Sequence, residues 1–434
     1  MNTPITFLHN LAWADLPALA QQRTRLSLLD LIGIAAAAQH TDTTPLITSH
    51  ASTHFAGPHP MLFSDQTASH PGAALAGGMR IDSLDGHDGF NPAKGHIGCA
   101  LFPAALTLAH AKAISGEAFL ATIAMGYEFG ARAAMAQHGS VPDYHTSGSW
   151  GAVTVAAAAA RLLALPDEQT RHALGIAEYH GPRSQMMREI DHPTMLKDGS
   201  GWGAMAGLSA AFLAADGFTG APALTVEEIT APWADLGQRW YVTEQYFKPY
   251  PVCRWAQAPI EGVLALRRAH ALTAADVKAI EIESFHECIR LATATPTSSD
   301  AAQYSTSFPC AIALVHGDVR PEHLTGTALS DPETLRLSQA TTMREHEHAN
   351  AAFPLTRLAR TTLTLKDGTK LTSDWMQPRW DHTAPPTAAE LRAKYHALAD
   401  PILGPARATA IEETIDTLES RPLTTLSNLL LAPV

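Results

Sequence analysis

The segment DSLDGHDGFNPAKGHIG, residues 82–98, places carboxylates, imidazoles and an amine where glycines and a proline oppose helix formation. The next segment, CALFPAALTLAHA, has helical spacing, so Lys94 and His96 are expected at or near a helix start. Backbone N–H groups there attract anions, and Lys94 would strengthen that attraction. The segment therefore predicts a binding loop for an anion such as a carboxylate, in which Asp85 and Asp88 orient the cations.

The loop could instead hold a metal ion or a phosphate group. Asp85, His87, Asp88 and His96 could supply metal ligands, but their order matches no standard zinc or calcium pattern. Neither the Walker nor the dinucleotide-binding glycine spacing is present. We therefore predict no metal and no phosphate cradle, and a solvated turn with incidental charges stays open.

A second segment, PDYHTSGSWGAV, begins at Pro142 and runs into a predicted helix. It carries Tyr144 and His145 side by side. Histidine is suited to proton transfer near neutral pH, and a buried tyrosine can take that role when a cation lowers its pKa. The pair is a candidate acid or base, and the alternative is an ordinary turn.

A third segment, MMREIDHPTMLKDGSGWGAMAG, spans residues 186–207 and sets Lys197 just before a glycine-rich helix start. A lysine near another cation or a helix N-terminus has a lowered pKa and can act as a base. A Schiff base with pyridoxal phosphate would need a phosphate-binding loop, which is missing. We predict a base without an organic cofactor, and a surface lysine remains the alternative.

A fourth segment, YFKPYPVCRWAQAPI, covers residues 246–260, and its prolines fix an extended chain that carries Lys248 and Arg254. Two cations on a stiff segment suit a substrate with two carboxylates. A structural connector between domains is the alternative interpretation.

The elements that position these segments change type along the chain. Apolar residues recur at helical spacing through most of the first 265 residues, whereas VKAIEIESF alternates like a strand and LARTTLTLKDGTKLTSDW is a hairpin. We predict a mainly α protein: a large all-helical domain, residues 1–268, joined by C-terminal helices 398–434, and a smaller α+β lid domain, residues 269–397. The segment MREHEHAN, residues 343–350, is expected to be a solvated lid turn.

Composition excludes several function classes. The 434 residues carry a net charge of −12, and no basic stripe is visible, so a nucleic-acid partner is not expected. The longest apolar run, LLDLIGIAAAA, is too short to span a bilayer. The four cysteines form no CxxC pair, and the N-terminal residues show no signal-peptide pattern. We expect a cytoplasmic protein without a membrane or nucleic-acid partner.

In this order the four segments resemble the MmgE/PrpD family, which contains 2-methylcitrate dehydratase, cis-aconitate decarboxylase and iminodisuccinate epimerase. The similarity also includes LSLLDLIGIAAAA, GYEFGAR, DGFTGAP and AQYSTSF, so it spans nearly the whole chain. The resemblance implies a homodimer without an organic cofactor that acts on di- or tricarboxylates next to a carboxylate. It places the family's site residues on Asp85, His96, His145, Lys197 and Lys248.

This sequence differs from the dehydratase and decarboxylase members at several motif positions. DGHDG replaces DFDDT, so that Gly89 takes the threonine position, HIG replaces HPG or HPS, and DGSG replaces HAG. Gln257 replaces a histidine, and the lid tyrosine aligns with Phe308, although Tyr304 is near. The pattern is more similar to the iminodisuccinate epimerase branch, and it implies an epimerase or racemase. A hydro-lyase or decarboxylase, or a non-catalytic carboxylate-binding protein, is the alternative.

Epimerisation needs a base on one face of the reacting carbon and an acid on the other. We expect Lys197 on one face and Tyr144, or else His145, on the other. Lys94 and His96 would stabilise the enediolate charge. Lys248, Arg254 and Arg188 would hold the remote carboxylate.

Overall fold

The structure is a computed structural model that describes residues 3–434. The described chain forms mostly helices, with the following bounds: α1 (Pro4–Asn10), α2 (Ala18–Ala37), α3 (Thr43–His54), α4 (His70–Asp82), α5 (Gly98–Ala111), α6 (Gly116–Ser140), α7 (Gly148–Leu163), α8 (Asp167–His180), α9 (Met187–Asp191), α10 (Ser200–Ala215), α11 (Arg254–Ala269), α12 (His286–Ile289), α13 (Ser299–Gln303), α14 (Ser307–His316), α15 (Pro332–Gln339), α16 (Glu347–Ala352), α17 (Ala388–Leu403), α18 (Pro405–Asp416) and α19 (Thr424–Leu430). The strands are β1 (His59–Pro60), β2 (Thr67–Ala68), β3 (Val277–Ser284), β4 (Thr341–Glu345), β5 (Arg360–Leu365) and β6 (Lys370–Thr372).

The large domain is a bundle in which α10 packs against α4, α7 and α8. Glycine allows the closest approach: a Cβ atom on Gly203 of α10 would lie 2.4 Å from the carbonyl oxygen of Gly148, the first residue of α7. The two helix starts therefore meet backbone to backbone, which brings the second and third predicted segments together.

The C-terminal helices return to this bundle. α17 packs on α2, and Tyr395, Ile411 and Leu430 are buried in the same apolar core as Leu28 and Ile32. The last part of the chain thus completes the first domain.

The smaller domain contains a four-stranded sheet in the order β4-β3-β5-β6. β5 pairs antiparallel with both β3 and β6, whereas β4 runs parallel to β3. α11 packs against β5 and α14, and its residues Ile260 and Val263 share a core with Ile282 and Leu363. Because the apolar face of α11 covers this sheet and α17 covers α2, the packing favours domain boundaries earlier than our expected 268/269 and 397/398.

The fold-class prediction of a helical domain plus an α+β domain is confirmed. Residues 343–350 are mostly exposed, as predicted, but they do not form a turn, because Met343–Glu345 end β4 and α16 begins at Glu347. Within the described residues, no helix is both long and apolar enough to cross a membrane.

Candidate active site

All four predicted segments reach one narrow cavity between the two domains. Its volume is about 30 Å³, which is enough to hold water but not an organic substrate. Its wall is formed by polar and charged side chains and by several apolar ones. The lining residues are Asp85, Lys94, His96, Tyr144, Met186, Ile190, Asp198, Tyr246, Lys248, Cys253, Arg254, Trp255, Tyr304 and Arg357.

His96 is held in one tautomer. Its Nδ1 lies 2.5 Å from the carbonyl oxygen of Asp88, which can only accept, so Nδ1 carries the proton. Nε2 therefore presents a lone pair and lies 3.9 Å from Asp198 Oδ2. Burial, followed by the positive charge of Lys248, lowers the pKa of His96 to about 3, so the ring is neutral at neutral pH.

Lys248 and Asp85 form a buried ion pair beside His96. Lys248 Nζ donates to Asp85 Oδ1 and, at 3.3 Å, to the Asp85 carbonyl oxygen. Although burial alone would raise the pKa of the Asp85 carboxyl, Lys248 and its neighbours hold it well below its usual range. The same pair keeps the pKa of Lys248 above its usual value, against the effect of burial. Both groups are charged, and Lys248 is largely neutralised within the protein.

Asp198 and Tyr304 complete this side of the cavity. Tyr304 Oη donates to Asp198 Oδ2 at 3.2 Å, and Ser147 Oγ donates to Asp198 Oδ1 at 3.1 Å. Burial raises the pKa of Asp198 to about 6. Burial, together with the charge of Asp198, raises the pKa of Tyr304 well above its usual value, so its hydroxyl is a proton donor.

Lys197 lies close to the cavity but behind Tyr304, and it is not among the lining residues. Its Nζ lies 3.1 Å from Asp300 Oδ1 and 3.1 Å from Gln303 Oε1. It also lies 4.8 Å from the centroid of the Tyr304 ring. An ammonium group paired with a carboxylate is a poor base. The Lys197 amine is therefore engaged by Asp300 and Gln303 outside the cavity lining, and the proton transfer that we expected of it stays a prediction.

Tyr144 and His145 point in different directions, and only Tyr144 lines the cavity. The ring of Tyr144 lines the cavity, its hydroxyl donates to the carbonyl oxygen of Lys94, and Lys94 Nζ lies 4.4 Å from the ring centroid. His145 points away from the cavity toward Arg183, whose Nη2 lies 3.5 Å from His145 Nε2. Burial, then the charge of Asp198, raises the pKa of Tyr144 well above its usual value, so it too is a proton donor.

Two further arginines line the cavity. Arg254 donates to Asp381 Oδ2 at 2.9 Å and is thereby neutralised. Arg357 donates to the neutral groups Asn91 Oδ1, at 2.6 Å, and the carbonyl oxygen of Pro354, at 2.7 Å. Arg188 is exposed and lies outside the lining, because α9 turns it to solvent. Among the described residues, Lys94 and Arg357 are the lining cations without a carboxylate partner within 4 Å.

The side chains around position 89 leave room only for a glycine. A Cβ atom there would lie 2.4 Å from Tyr246 Oη and 2.8 Å from His96 Nδ1. Tyr246 thus fills the space that a side chain at position 89 would take, and its ring stacks 4.1 Å from the Arg254 guanidinium. The departure from threonine at this position is coupled to the shape of the cavity.

Two buried groups of side chains could bring metal ligands within 4.8 Å of one another: Asp85, His96 and Asp198, and also Asp82, His87 and Cys99. In the first group the ammonium of Lys248 already balances Asp85. Asp88 is not a ligand in either group. Its carboxylate accepts from Tyr127 Oη at 2.5 Å, and its carbonyl orients His96.

Asp198, Tyr246, Tyr304 and Arg357 were missed as site residues. Tyr304, not Phe308, is the lid tyrosine at the cavity, because Phe308 is buried in the core of the smaller domain. Asp198 adjoins Lys197, and Arg357 is remote from all four motifs. A larger cavity of about 990 Å³ lies on the far side of the 82–98 loop. It does not adjoin His96 and is not the candidate site.

Comparison with known proteins gives family models for both parts of the chain. The family model for the MmgE/PrpD N-terminal domain matches residues 5–231, and that for the MmgE/PrpD C-terminal domain matches residues 250–420. The cis-aconitate decarboxylase-like protein oryM of Aspergillus oryzae (strain ATCC 42149 / RIB 40) is 23% identical over 465 residues, covering 94% of this chain and 92% of the relative. Cis-aconitate decarboxylase of Aspergillus terreus (strain NIH 2624 / FGSC A1156) is 25% identical over 476 residues, covering 98% and 94%.

Neither relative is an iminodisuccinate epimerase, so that narrower resemblance stays a prediction. The two family models together cover most of the chain and leave residues 232–249 between them. The chain therefore belongs to the MmgE/PrpD family.

Proposed function

We propose that this protein is a polycarboxylate lyase that works through a carbanion next to a carboxylate, with no organic cofactor. The observation that carries the proposal is the neutral His96 imidazole, whose lone pair is on Nε2 and which lines a cavity together with two cations that have no carboxylate partner. The relatives named as cis-aconitate decarboxylases, matched over nearly their whole length, support the substrate class.

Lys94 and Arg357 would bind two carboxylates of the substrate. Each is a cation without a carboxylate partner, so a substrate carboxylate would supply the missing charge. Lys94 comes from the loop of the helical domain and Arg357 from the smaller domain. A substrate that bridges them would hold the domains together and exclude water, which strengthens charge interactions in the cavity.

His96 would accept the proton that is removed from the reacting carbon. When Nε2 accepts a proton, the imidazolium is stabilised by Asp198, 3.9 Å away, and by the Asp88 carbonyl on Nδ1. Tyr304 and Tyr144 have raised pKa values and stay protonated, so either can donate to a leaving group or a carbanion. Loss of water would use base and acid together. Loss of a carboxyl group as carbon dioxide would leave a carbanion of the same kind for protonation.

Epimerisation is the second candidate, and position 257 favours it. Gln257 donates from Nε2 to the carbonyl oxygens of Tyr250 and Val252, at 2.9 and 3.0 Å, and offers no titratable group. The resemblance to lyase members implies a histidine there. Gln257 does not line the cavity, so this support for epimerisation comes from the sequence alone. Inversion would need proton return from Tyr144 or Tyr304 on the face opposite His96.

The test is proton NMR of the purified enzyme with cis-aconitate, citrate, methylcitrate, iminodisuccinate stereoisomers and tartrate. New alkene signals, with or without release of carbon dioxide, are expected for a lyase. Inversion of the carbon with solvent exchange and no new alkene signal would transfer the protein to the epimerase class. No change in any compound would overturn both candidates.

A further inference from the structure

Tyr246 lines the candidate active site and has no role in the reaction described so far. Residue 246 and Gly89 form an antiparallel bridge: Gly89 N donates to the Tyr246 carbonyl oxygen at 3.0 Å, and Tyr246 N donates to the Gly89 carbonyl oxygen at 2.8 Å. Side chains of residues paired in this way lie on the same side of the two chain segments. The Tyr246 side chain therefore covers Gly89, and a Cβ atom on Gly89 would lie 2.4 Å from Tyr246 Oη.

The Tyr246 hydroxyl lies where the resemblance to lyase members implies a different hydroxyl. Those members carry a threonine at the position of Gly89, and a threonine hydroxyl is attached directly to Cβ. The Cβ position of residue 89 is 2.4 Å from Tyr246 Oη and 2.8 Å from His96 Nδ1. Tyr246 thus supplies, from the opposite chain segment, a hydroxyl in the space beside His96 that a threonine side chain would occupy. Glycine at position 89 leaves the room for it.

Three tyrosines line the cavity, and their hydroxyl groups differ in what they bind. Tyr144 Oη donates to the Lys94 carbonyl oxygen, and Tyr304 Oη donates to Asp198 Oδ2 at 3.2 Å. Within residues 3–434, Tyr246 Oη makes no hydrogen bond. A hydroxyl without a protein acceptor can donate to a substrate without first losing a hydrogen bond. Tyr246 is therefore the lining tyrosine that is free to do so.

Positive charges surround Tyr246. The Arg254 guanidinium carbon lies 4.1 Å from the centroid of its ring. Burial raises the pKa of Tyr246, so the hydroxyl is protonated at neutral pH. The positive charges of Lys248, Arg254 and Arg357 oppose this effect on the pKa, and they would stabilise a phenolate once the proton has left. For Tyr304, in contrast, the neighbouring carboxylates raise the pKa further, so a phenolate there would be repelled.

We propose that Tyr246, in preference to Tyr144 and Tyr304, is the catalytic acid, an inference that rests on the function proposed above. In loss of water, His96 Nε2 takes the proton from carbon and the C–H electron pair forms the alkene bond. The C–O bond breaks, and Tyr246 Oη gives its proton to the leaving hydroxide. In loss of carbon dioxide, the electron pair of the broken C–C bond stays on carbon, and Tyr246 Oη protonates it. Solvent restores the tyrosine proton after product release.

The first test is steady-state kinetics of Tyr246→Phe on cis-aconitate, citrate and methylcitrate. The change removes the hydroxyl and keeps the ring beside Arg254. We expect kcat to fall by about 10²–10⁴-fold with little change in KM. The melting temperature should not fall, because no hydrogen bond within the protein is lost. Tyr250→Phe is the matched control: its hydroxyl donates to Glu261 Oε1 at 2.9 Å outside the cavity lining, so this variant should keep kcat and lose stability.

The result separates this inference from the function on which it rests. If the wild type converts one of the three compounds and Tyr246→Phe is equally active, the inference is overturned and the proposed function stands. A wild type that converts none of them would overturn both. Tyr144→Phe and Tyr304→Phe, in the same assay, should each retain more activity than Tyr246→Phe, and the reverse order would also overturn the inference.

The second test distinguishes proton donation from support of the cavity wall. Replacement of Tyr246 by a difluorinated tyrosine gives a more acidic hydroxyl of nearly the same size. The acid must be protonated to work, so the fall of kcat at alkaline pH should begin at a lower pH than in the wild type. The same replacement of Tyr250 should not move it. An alkaline limb that stays in place at position 246 would overturn the acid role, even if Tyr246→Phe is inactive.

Discussion

The hydrogen bond from His96 Nδ1 to the Asp88 carbonyl decides which nitrogen faces the substrate. A base that works at neutral pH needs a free lone pair. It also needs a nearby group that stabilises the positive charge formed when it accepts a proton. His96 has a lone pair at Nε2 and Asp198 nearby to stabilise an imidazolium. Because burial and Lys248 lower its pKa to about 3, the negative charge of a bound substrate must raise that pKa for His96 to act as a base. The chemistry thus depends on a few polar contacts made by one loop.

Asp198 should set the pH dependence of the enzyme. Its pKa is raised to about 6, mainly by burial, so it is largely neutral below pH 6 and charged above. Ionisation supplies the carboxylate that stabilises the His96 imidazolium, and kcat/KM should therefore rise as the pH rises through about 6. In Asp198→Asn the activity should be lower and this rise should be absent. A profile that keeps the same inflection in the variant would assign it to another group.

Arg357 should act mainly on substrate binding. A hydrogen bond to a charged group contributes about 1.5–3 kcal/mol, so Arg357→Met should raise KM by roughly ten- to a hundredfold. The control Arg344→Met removes an arginine whose side chain is 63% exposed on β4 and should leave KM unchanged. Steady-state kinetics on both variants would check this. An unchanged KM in Arg357→Met would remove this residue from the carboxylate site.

At the scale of elements, the contact between α7 and α10 positions the site. Gly148 N donates to the Asp198 carbonyl at 3.0 Å, and Gly148 itself approaches Gly199 so closely that a Cβ atom would lie 2.3 Å from the Gly199 oxygen. Lys94 and Lys197 both adopt left-handed backbone conformations, with φ of 52° and 50°. Such conformations in non-glycine residues cost energy and persist where the surroundings enforce them.

Gly203→Ala should therefore destabilise the protein and lower activity together. The new methyl group meets backbone atoms of Gly148, which cannot move without shifting α7, and overpacking of this kind costs about 1–3 kcal/mol. Gly139→Ala is the matched control, because nothing lies within 4 Å of its Cβ position in α6. Alanine is the better helix former, so this control should be neutral or stabilising by about 0.5–1 kcal/mol. Thermal unfolding of both variants, with an assay, measures the difference.

The main elements could be predicted from the sequence because their apolar faces repeat at helical spacing, as in α2, α6 and α10. β4 was missed because it is an exposed edge strand of charged and polar residues, with no alternation to detect. The direction of the Lys197 side chain also could not be predicted from the sequence. It is set by Asp300 and Gln303, more than 100 residues away, and only the folded chain brings them together.

At the scale of the whole molecule, the two domains are closed over the site. Asn91 of the helical domain donates to Asp381 at 2.9 Å and accepts from Arg357 at 2.6 Å, so it contacts one residue just before β5 and one residue after β6. The cavity of about 30 Å³ is far smaller than the 300 Å³ or more of ordinary ligand sites. The domains must therefore separate to admit a tricarboxylate.

Hydrogen exchange should detect this opening. In the free enzyme, residues 353–358 and 379–383 are expected to exchange faster than the core strand β3. An unreactive tricarboxylate such as tricarballylate should slow them, because it bridges Lys94 and Arg357 across the domains. Equal exchange with and without this compound, at saturating concentration, would argue against closure by substrate.

The measurement that tests the central claim most directly is deuterium incorporation in D₂O at the carbon next to the carboxylate, on the substrate that the NMR panel identifies. Wild-type enzyme should incorporate deuterium, and His96→Gln should lose this activity by about 10²–10⁴-fold with an unchanged melting temperature. Lys197→Arg, which keeps the cation beside Asp300, should retain most of it. Full incorporation by His96→Gln, with loss in Lys197→Arg at unchanged stability, would contradict the account and make Lys197 the base.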